Sequence, residues 1–322
     1  MTFAIAEIFF DEGGRITLLA DTKLTDDSDV AATRSIYTNP MLKVVIVDDD
    51  VAVAVAGNWP RSSIERAVAL RGSTPAEMIE HLRQFSEDVS RASGSPKSFL
   101  IAKRAPEPRL FRIRHGDVDE ASSAAPRLWI GDRAGFSAFQ SAYHQQIPNE
   151  SAERRLVVAT QTAVMLGEVS SVGGYVTRAT GSVGYPFRFR SDPCGTGPWE
   201  TEGNIVERDG RPVLAMRVPQ GVDPSEHTRI GVPGCDDTFG AMAFYSPETK
   251  TARLWLHHAP SEAPVQLTGV ASIPELVQRA AQEYGQKLAS VNRVSLADAP
   301  LDTALFRESP TPLGITICDS AQ

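Results

Sequence analysis

From residue 3 the chain reads Phe-Ala-Ile-Ala-Glu-Ile-Phe-Phe, turns at Asp11-Glu12-Gly13-Gly14, and resumes as Arg15-Ile16-Thr17-Leu18-Leu19-Ala20-Asp21. Neither arm alternates apolar with polar, so the pattern predicts a hairpin whose strands are covered on both faces. A polar stretch, 22–39, separates it from a second pair of the same kind. That pair is Met41 to Val47, the turn Asp48-Asp49-Asp50, and Val51 to Gly57. Two-sided strands belong to a layered architecture with a buried sheet. A helix is expected over 61–71. Another opens at the capping box Thr74-Pro75-Ala76-Glu77 and puts Met78, Leu82, Phe85 and Val89 on one face. Strands return at 98–102, 110–113 and 128–131, helices at 134–146 and 151–167, and a strand pair near 174–190. Strands and helices come in runs, which favours α+β over a doubly wound parallel sheet.

Beyond residue 190 the texture changes. A Pro/Gly-rich loop at 191–198 leads into hairpin-like stretches at 204–217, around Asp209-Gly210, and at 240–257. A helix then starts at the capping box Ser272-Ile273-Pro274-Glu275 and carries Leu276, Val277, Ala280, Tyr284 and Leu288. The tail from 293 has no clear period. The chain therefore divides into residues 1–190 and a C-terminal α+β extension, 191–322, of unknown role.

Composition adds exclusions. The 322 residues carry a net charge of −8, with 42% hydrophobic and 22% charged residues, which argues against nucleic-acid and anionic-membrane partners. No stretch approaches the roughly 18 apolar residues of a membrane span. The N-terminus lacks a basic segment followed by an apolar one, so no signal peptide is expected. Cys194, Cys235 and Cys318 make neither a disulfide framework nor a metal spacing, and a cytoplasmic setting fits them. No cofactor and no metal is expected.

Candidate chemistry is concentrated at the start. Initiator methionine is usually trimmed before a residue as small as Thr2. Its removal would leave one residue holding a hydroxyl and an α-amine that titrates near pH ~8. Two further residues break the pattern. Asp21 ends the run Leu18-Leu19-Ala20, and Lys43 interrupts Met41-Leu42 and Val44-Val45-Ile46-Val47. A charge buried alone costs several kcal/mol, so such residues pair or shift their pKa. They form either a structural ion pair or a pair beside Thr2, with Lys43 lowering the pKa of the nucleophile and Asp21 orienting Lys43.

The order N-terminal Thr, Asp ending the second strand, and Lys opening the third resembles the proteasome β-subunit and HslV branch of N-terminal nucleophile (Ntn) hydrolases. Lys43 to Val47 and Val53-Ala54-Val55-Ala56-Gly57-Asn58 are similar to that family's lysine strand and closing Ala-Gly. The stretches 98–102, 109–113 and 128–131, and the pair Gly173-Gly174, follow its later elements. The start Met-Thr-Phe looks most like the bacterial homologue Anbu. The resemblance covers roughly 2–190 and implies a four-layer αββα sandwich that self-assembles into a homo-oligomer. It also implies acyl transfer, with Thr2 as nucleophile and Gly57 at the oxyanion-hole position. The chain departs from the family at two places. Asp132-Arg133 stands where the family has Ser-Gly. Glu168 and Ser171 keep the spacing of its Asp-x-x-Ser about one residue early.

Three functions follow. The first is a threonine peptidase in which Asp132, Glu168 and Ser171 supply the supporting polar groups. The second is a non-catalytic assembly or binding module, and the third an amidase for a small-molecule amide. Other motifs read as structural. Gly135-Phe136-Ser137-Ala138-Phe139 lacks the second glycine of a nucleophile elbow and predicts a helix start. His257 and His258 lie in an apparent strand and point to opposite faces. Asp26, Asp27 and Asp29 lack the glycine and glutamate of a calcium loop. Gly195-Thr196-Gly197 is too short for a phosphate cradle. Arg112, Arg114 and His115 read as the wet face of an edge strand.

Overall fold

The computed structural model describes residues 2–24, 40–58, 60–94, 97–145, 151–165, 169, 171–190, 193–195, 203–208, 211–216, 228–235, 240–246 and 249–289. The first hairpin forms as the sequence predicts, with β1 over Phe3–Phe9 and β2 over Arg15–Asp21. The second pair is shorter than its apolar run: β3 covers only Val44–Ile46, and β4 covers Val51–Ala56. Then come α1 (Pro60–Ala69) and α2 (Pro75–Ser93), whose capping box is made on both sides by Thr74 and Glu77. Strands β5 (Ser98–Lys103), β6 (Arg109–Arg114), β7 (Asp117–Glu120) and β8 (Arg127–Gly131) follow. Helices α3 (Arg133–His144) and α4 (Ala152–Met165) and strands β9 (Val176–Ser182) and β10 (Tyr185–Phe189) complete the first part.

These strands make two antiparallel five-stranded sheets, β10-β9-β2-β1-β8 and β3-β4-β5-β6-β7. Their side chains sort by period two. In β1, Ala4, Ala6 and Ile8 enter one core cluster, while Phe3, Ile5 and Phe9 enter another. In β4, Ala52, Ala54 and Ala56 join the first cluster, and Val51, Val53 and Val55 join a third. The first cluster draws on both sheets and is rich in alanine, which lets the sheets approach closely. The other two clusters receive the helices: Ile64, Ala67, Met78 and Leu82 from α1 and α2, and Phe139, Leu156 and Ala159 from α3 and α4. Each of the larger side chains among these, Ile, Leu, Met or Phe, contributes on the order of 1.5–3 kcal/mol on burial.

A third sheet, β11-β14-β15-β16-β17, is built from Pro193–Gly195, Thr228–Pro233, Met242–Ser246, Thr251–Trp255 and Val265–Leu267. A separate hairpin pairs β12 (Gly203–Arg208) with β13 (Arg211–Met216). One face of the third sheet packs under α5 (Ile273–Tyr284) through Ala241, Ala243, Leu254, Leu276 and Ala280. The other face sends Met242, Phe244 and Trp255 into the alanine-rich cluster.

Several expectations are corrected. Strand β6 is not an edge, because the unforeseen strand β7 pairs outside it, with Arg112 opposite Asp119. Strand β16 stops at Trp255, so His257 and His258 lie in a turn with their rings 5.2 Å apart rather than on opposite faces. Helix α5 ends at Tyr284, and Leu288 instead bridges to Gly234. Gly135 to Phe139 lies inside α3, as the helix reading requires. Asp26, Asp27, Asp29, Thr196 and Gly197 fall outside the described residues.

Candidate active site

The first sheet's register sets the site. Ala4 pairs with Ala20, so the last residue of β2, Asp21, comes level with the start of β1. On its other side Asp21 pairs with Val176 of β9. The carboxylate therefore sits where three chain segments converge. Its Oδ1 accepts the Phe3 N–H at 3.0 Å. Its Oδ2 accepts the N–H groups of Lys23 at 3.2 Å and Gly173 at 3.3 Å.

Lys43 reaches the same carboxylate from the second sheet. It immediately precedes β3, and its carbonyl accepts the Val55 N–H of β4 at 2.8 Å. Its ammonium donates to Asp21 Oδ1 at 3.0 Å, to Oδ2 at 3.1 Å and to the Lys23 carbonyl at 2.5 Å. Both side chains are fully buried. Burial, the largest influence on each, pushes the Asp21 carboxyl up and the Lys43 ammonium down. Their mutual attraction opposes both shifts, the Phe3 and Gly173 amides help hold Asp21 down, and the neighbouring Lys23 charge presses Lys43 further down.

Thr2 is 1% exposed, and its carbonyl accepts the Asp132 N–H at 2.7 Å. Gly131, paired with Phe3, makes this approach possible. A Cβ there would lie 1.8 Å from the Thr2 carbonyl oxygen, and the residue's φ of +99° disfavours any side chain. The Asp132 carboxylate caps α3, with Oδ1 accepting the Ala134 N–H at 2.7 Å. Its Oδ2 accepts the Ser171 hydroxyl at 2.5 Å. Two of the supporting residues expected from sequence are thus bonded to each other one residue from Gly131. Glu168 lies outside the described residues. Gly57 follows β4 with φ +122°, two residues beyond the Val55 amide that pairs with Lys43.

Some participants were not picked out as site residues in the sequence. Gly173 donates to Asp21, and its carbonyl accepts the Lys23 N–H at 3.0 Å. Thr22 is buried and accepts the Tyr175 N–H at 2.8 Å. A Cβ on Gly174 would meet the Thr22 hydroxyl at 2.6 Å. The Gly173-Gly174 pair was a visible signal for this close approach. Nothing local marks the Lys23 carbonyl as a partner of Lys43. Among the described residues no group of three or more His, Cys, Asp or Glu side chains could hold a metal ion, and no helix is long and apolar enough to cross a membrane.

No family model matches the chain, and no curated protein matches it either. Among solved structures the chain is similar to the Gly-1 mutant of Anbu from Hyphomicrobium sp. strain MC1, at 18% identity and a TM-score of 0.43, over 59% of this chain and 86% of that one.

Proposed function

We propose that the protein is a threonine-type Ntn hydrolase that cleaves an amide or peptide bond by acyl transfer to Thr2 once Met1 is removed. One observation carries this reading: Asp21 Oδ1 receives both the amide that follows Thr2 and the ammonium of Lys43. The lysine charge is thereby tied to the main chain of the nucleophile. In this mechanism the Thr2 hydroxyl attacks the substrate carbonyl, and its proton passes through a water to the α-amine. The Gly57 N–H stabilises the oxyanion. The tetrahedral intermediate collapses with loss of the amine, which takes up the proton. Water then attacks the ester by the same route, and the acid leaves with the hydroxyl restored. Lys43 lowers the pKa of the nucleophile, Asp21 orients it, and Asp132, Ser171 and Glu168 are the proposed polar support.

The same proposal takes the three core clusters of the first part as the seams of a four-layer αββα sandwich. It assigns residues 1–190 to the hydrolase domain and 191–322 to an extension. The protein is placed in the cytoplasm as a homo-oligomer acting on a peptide or small amide without a cofactor.

The test is intact-mass analysis with a Thr-directed β-lactone. Loss of Met1 and a single adduct absent from Thr2→Ala is the expected result, and a retained Met1 overturns the reading. A second reading, a non-catalytic assembly or binding module, draws on the burial of Thr2 at 1% exposure. It predicts no adduct even when Met1 is gone.

A further inference from the structure

The Gly173-Gly174-Tyr175 segment that supplies a donor to Asp21 is held from outside by the third sheet. Tyr175 is 2% exposed. Its ring stacks on Phe244 of β15, with centroids 4.3 Å apart and planes 12° apart. Its hydroxyl accepts a hydrogen bond from Arg253 Nη1 of β16 at 2.5 Å. Phe244 and Arg253 are direct cross-strand partners, so one rung of the sheet grips both the face and the tip of the ring. Phe244 is itself fixed edge-on by Trp255, at 5.8 Å and 87°. On its inner side Tyr175 donates its N–H to Thr22, beside Asp21, and Gly173 donates to Asp21 itself. The sheet also reaches the other side of the site, where Glu262 in the β16–β17 connection pairs with Arg61 in the first turn of α1, four residues past Gly57.

We propose that Phe244 and Arg253 are positioning residues for the Asp21–Lys43 pair, acting through Tyr175 and the Gly173 amide, so that the C-terminal sheet completes the site. This rests on the proposed Thr2 chemistry for its catalytic consequence but not for its structural one. Two glycines in succession leave the segment 173–174 conformationally free, and an outside grip on the next residue removes that freedom. The stack and hydrogen bond at a buried aromatic fit such a role. Among the described residues the charged groups bearing on Lys43 are Asp21, whose carboxylate accepts the Gly173 N–H, and Lys23, whose N–H donates to the Gly173 carbonyl.

The experiment uses the full chain and three variants, two that weaken the grip on Tyr175 and one that restores part of it. Arg253→Met removes the donor and keeps the packing of the stem, and Tyr175→Phe removes only the hydroxyl, so folding is preserved in at least one. Amide hydrogen exchange is expected to speed up by about tenfold over 171–176 and at Phe3, with little change in β4 and β5. Thr2 labelling by the β-lactone is expected to slow by about tenfold, and its pH midpoint to move upward, because Lys43 acts on the α-amine from a less fixed position. Arg253→Lys should recover part of both effects. Exchange over 171–176 that does not outpace the rest of the chain overturns the proposal. So does labelling that falls only in step with the thermal midpoint at an unmoved pH profile. Faster local exchange in a protein whose wild type is never labelled supports the brace and counts against the Thr2 chemistry alone.

Discussion

The ammonium of Lys43 touches both carboxylate oxygens of Asp21, at 3.0 and 3.1 Å, with neither side chain reaching solvent. The pair joins the two sheets of the first part, since Asp21 ends β2 and Lys43 leads into β3. It also leaves each residue dependent on the other, because either charge alone would be buried without its counter-charge.

The costs of removing the two partners should therefore not add. Asp21→Asn or Lys43→Met alone is expected to destabilise by about 3–5 kcal/mol, since each leaves a buried unpaired group. The double variant should cost clearly less than the sum. Urea unfolding of all four proteins gives the coupling energy directly, and additive losses would show that the two do not act as a unit.

The same pair predicts a pH signature. Burial lowers Lys43 below its ordinary 10.5, so between the lowered value and 10.5 the unfolded chain holds more protons and stability rises with pH. Burial raises Asp21 above 3.8, so between 3.8 and the raised value the folded chain holds more protons and stability falls with pH. Thermal midpoints across pH should show both slopes in wild type. The double variant Asp21→Asn/Lys43→Met should lack them.

Gly131 is the second pivot. Gly131→Ala would drive a Cβ to 1.8 Å from the Thr2 carbonyl oxygen at a positive φ, and the backbone of β1 or β8 must move. A loss of about 2–4 kcal/mol is expected, together with loss of Thr2 labelling. Gly184→Ala, where nothing lies within 4 Å of the added atom, should change stability by less than about 0.5 kcal/mol. Calorimetry on the two variants makes the comparison.

Asp132 carries two bonds that can be separated. Asp132→Ala loses the α3 cap and the Ser171 partner and is expected to cost about 1–3 kcal/mol. Ser171→Ala removes the bond to Asp132 while leaving the cap in place and should cost about 1 kcal/mol. Chemical denaturation distinguishes them. Equal losses would mean that the cap contributes nothing.

Much of this architecture was legible in the chain because it follows from local chemistry. Two-sided apolar runs declared strands buried on both faces, and β1 and β4 are buried along their whole length. Thr74-Pro75-Ala76-Glu77 and Ser272-Ile273-Pro274-Glu275 marked helix starts because an N-cap side chain and its N3 partner meet within one turn. The misplaced charges Asp21 and Lys43 announced a pair because burial without one is too costly. Sequence misjudged β6 and missed β7, whose Asp-Val-Asp-Glu is exposed throughout, carries a single apolar residue, and pairs Glu120 and Asp119 with Arg109 and Arg112.

The sequence by itself thus determined most of the strands and helices and that Asp21 and Lys43 need each other, since periodicity, caps and the cost of a lone buried charge act at short range. Only the tertiary structure decided that the Lys23 carbonyl and the Gly173 amide complete that pair and that Asp132 takes Ser171 as its partner. It alone also set Phe244 and Arg253 of the C-terminal sheet around Tyr175. Those contacts join residues 20 to 152 positions apart in the chain, and their geometry exists only after the sheets have packed.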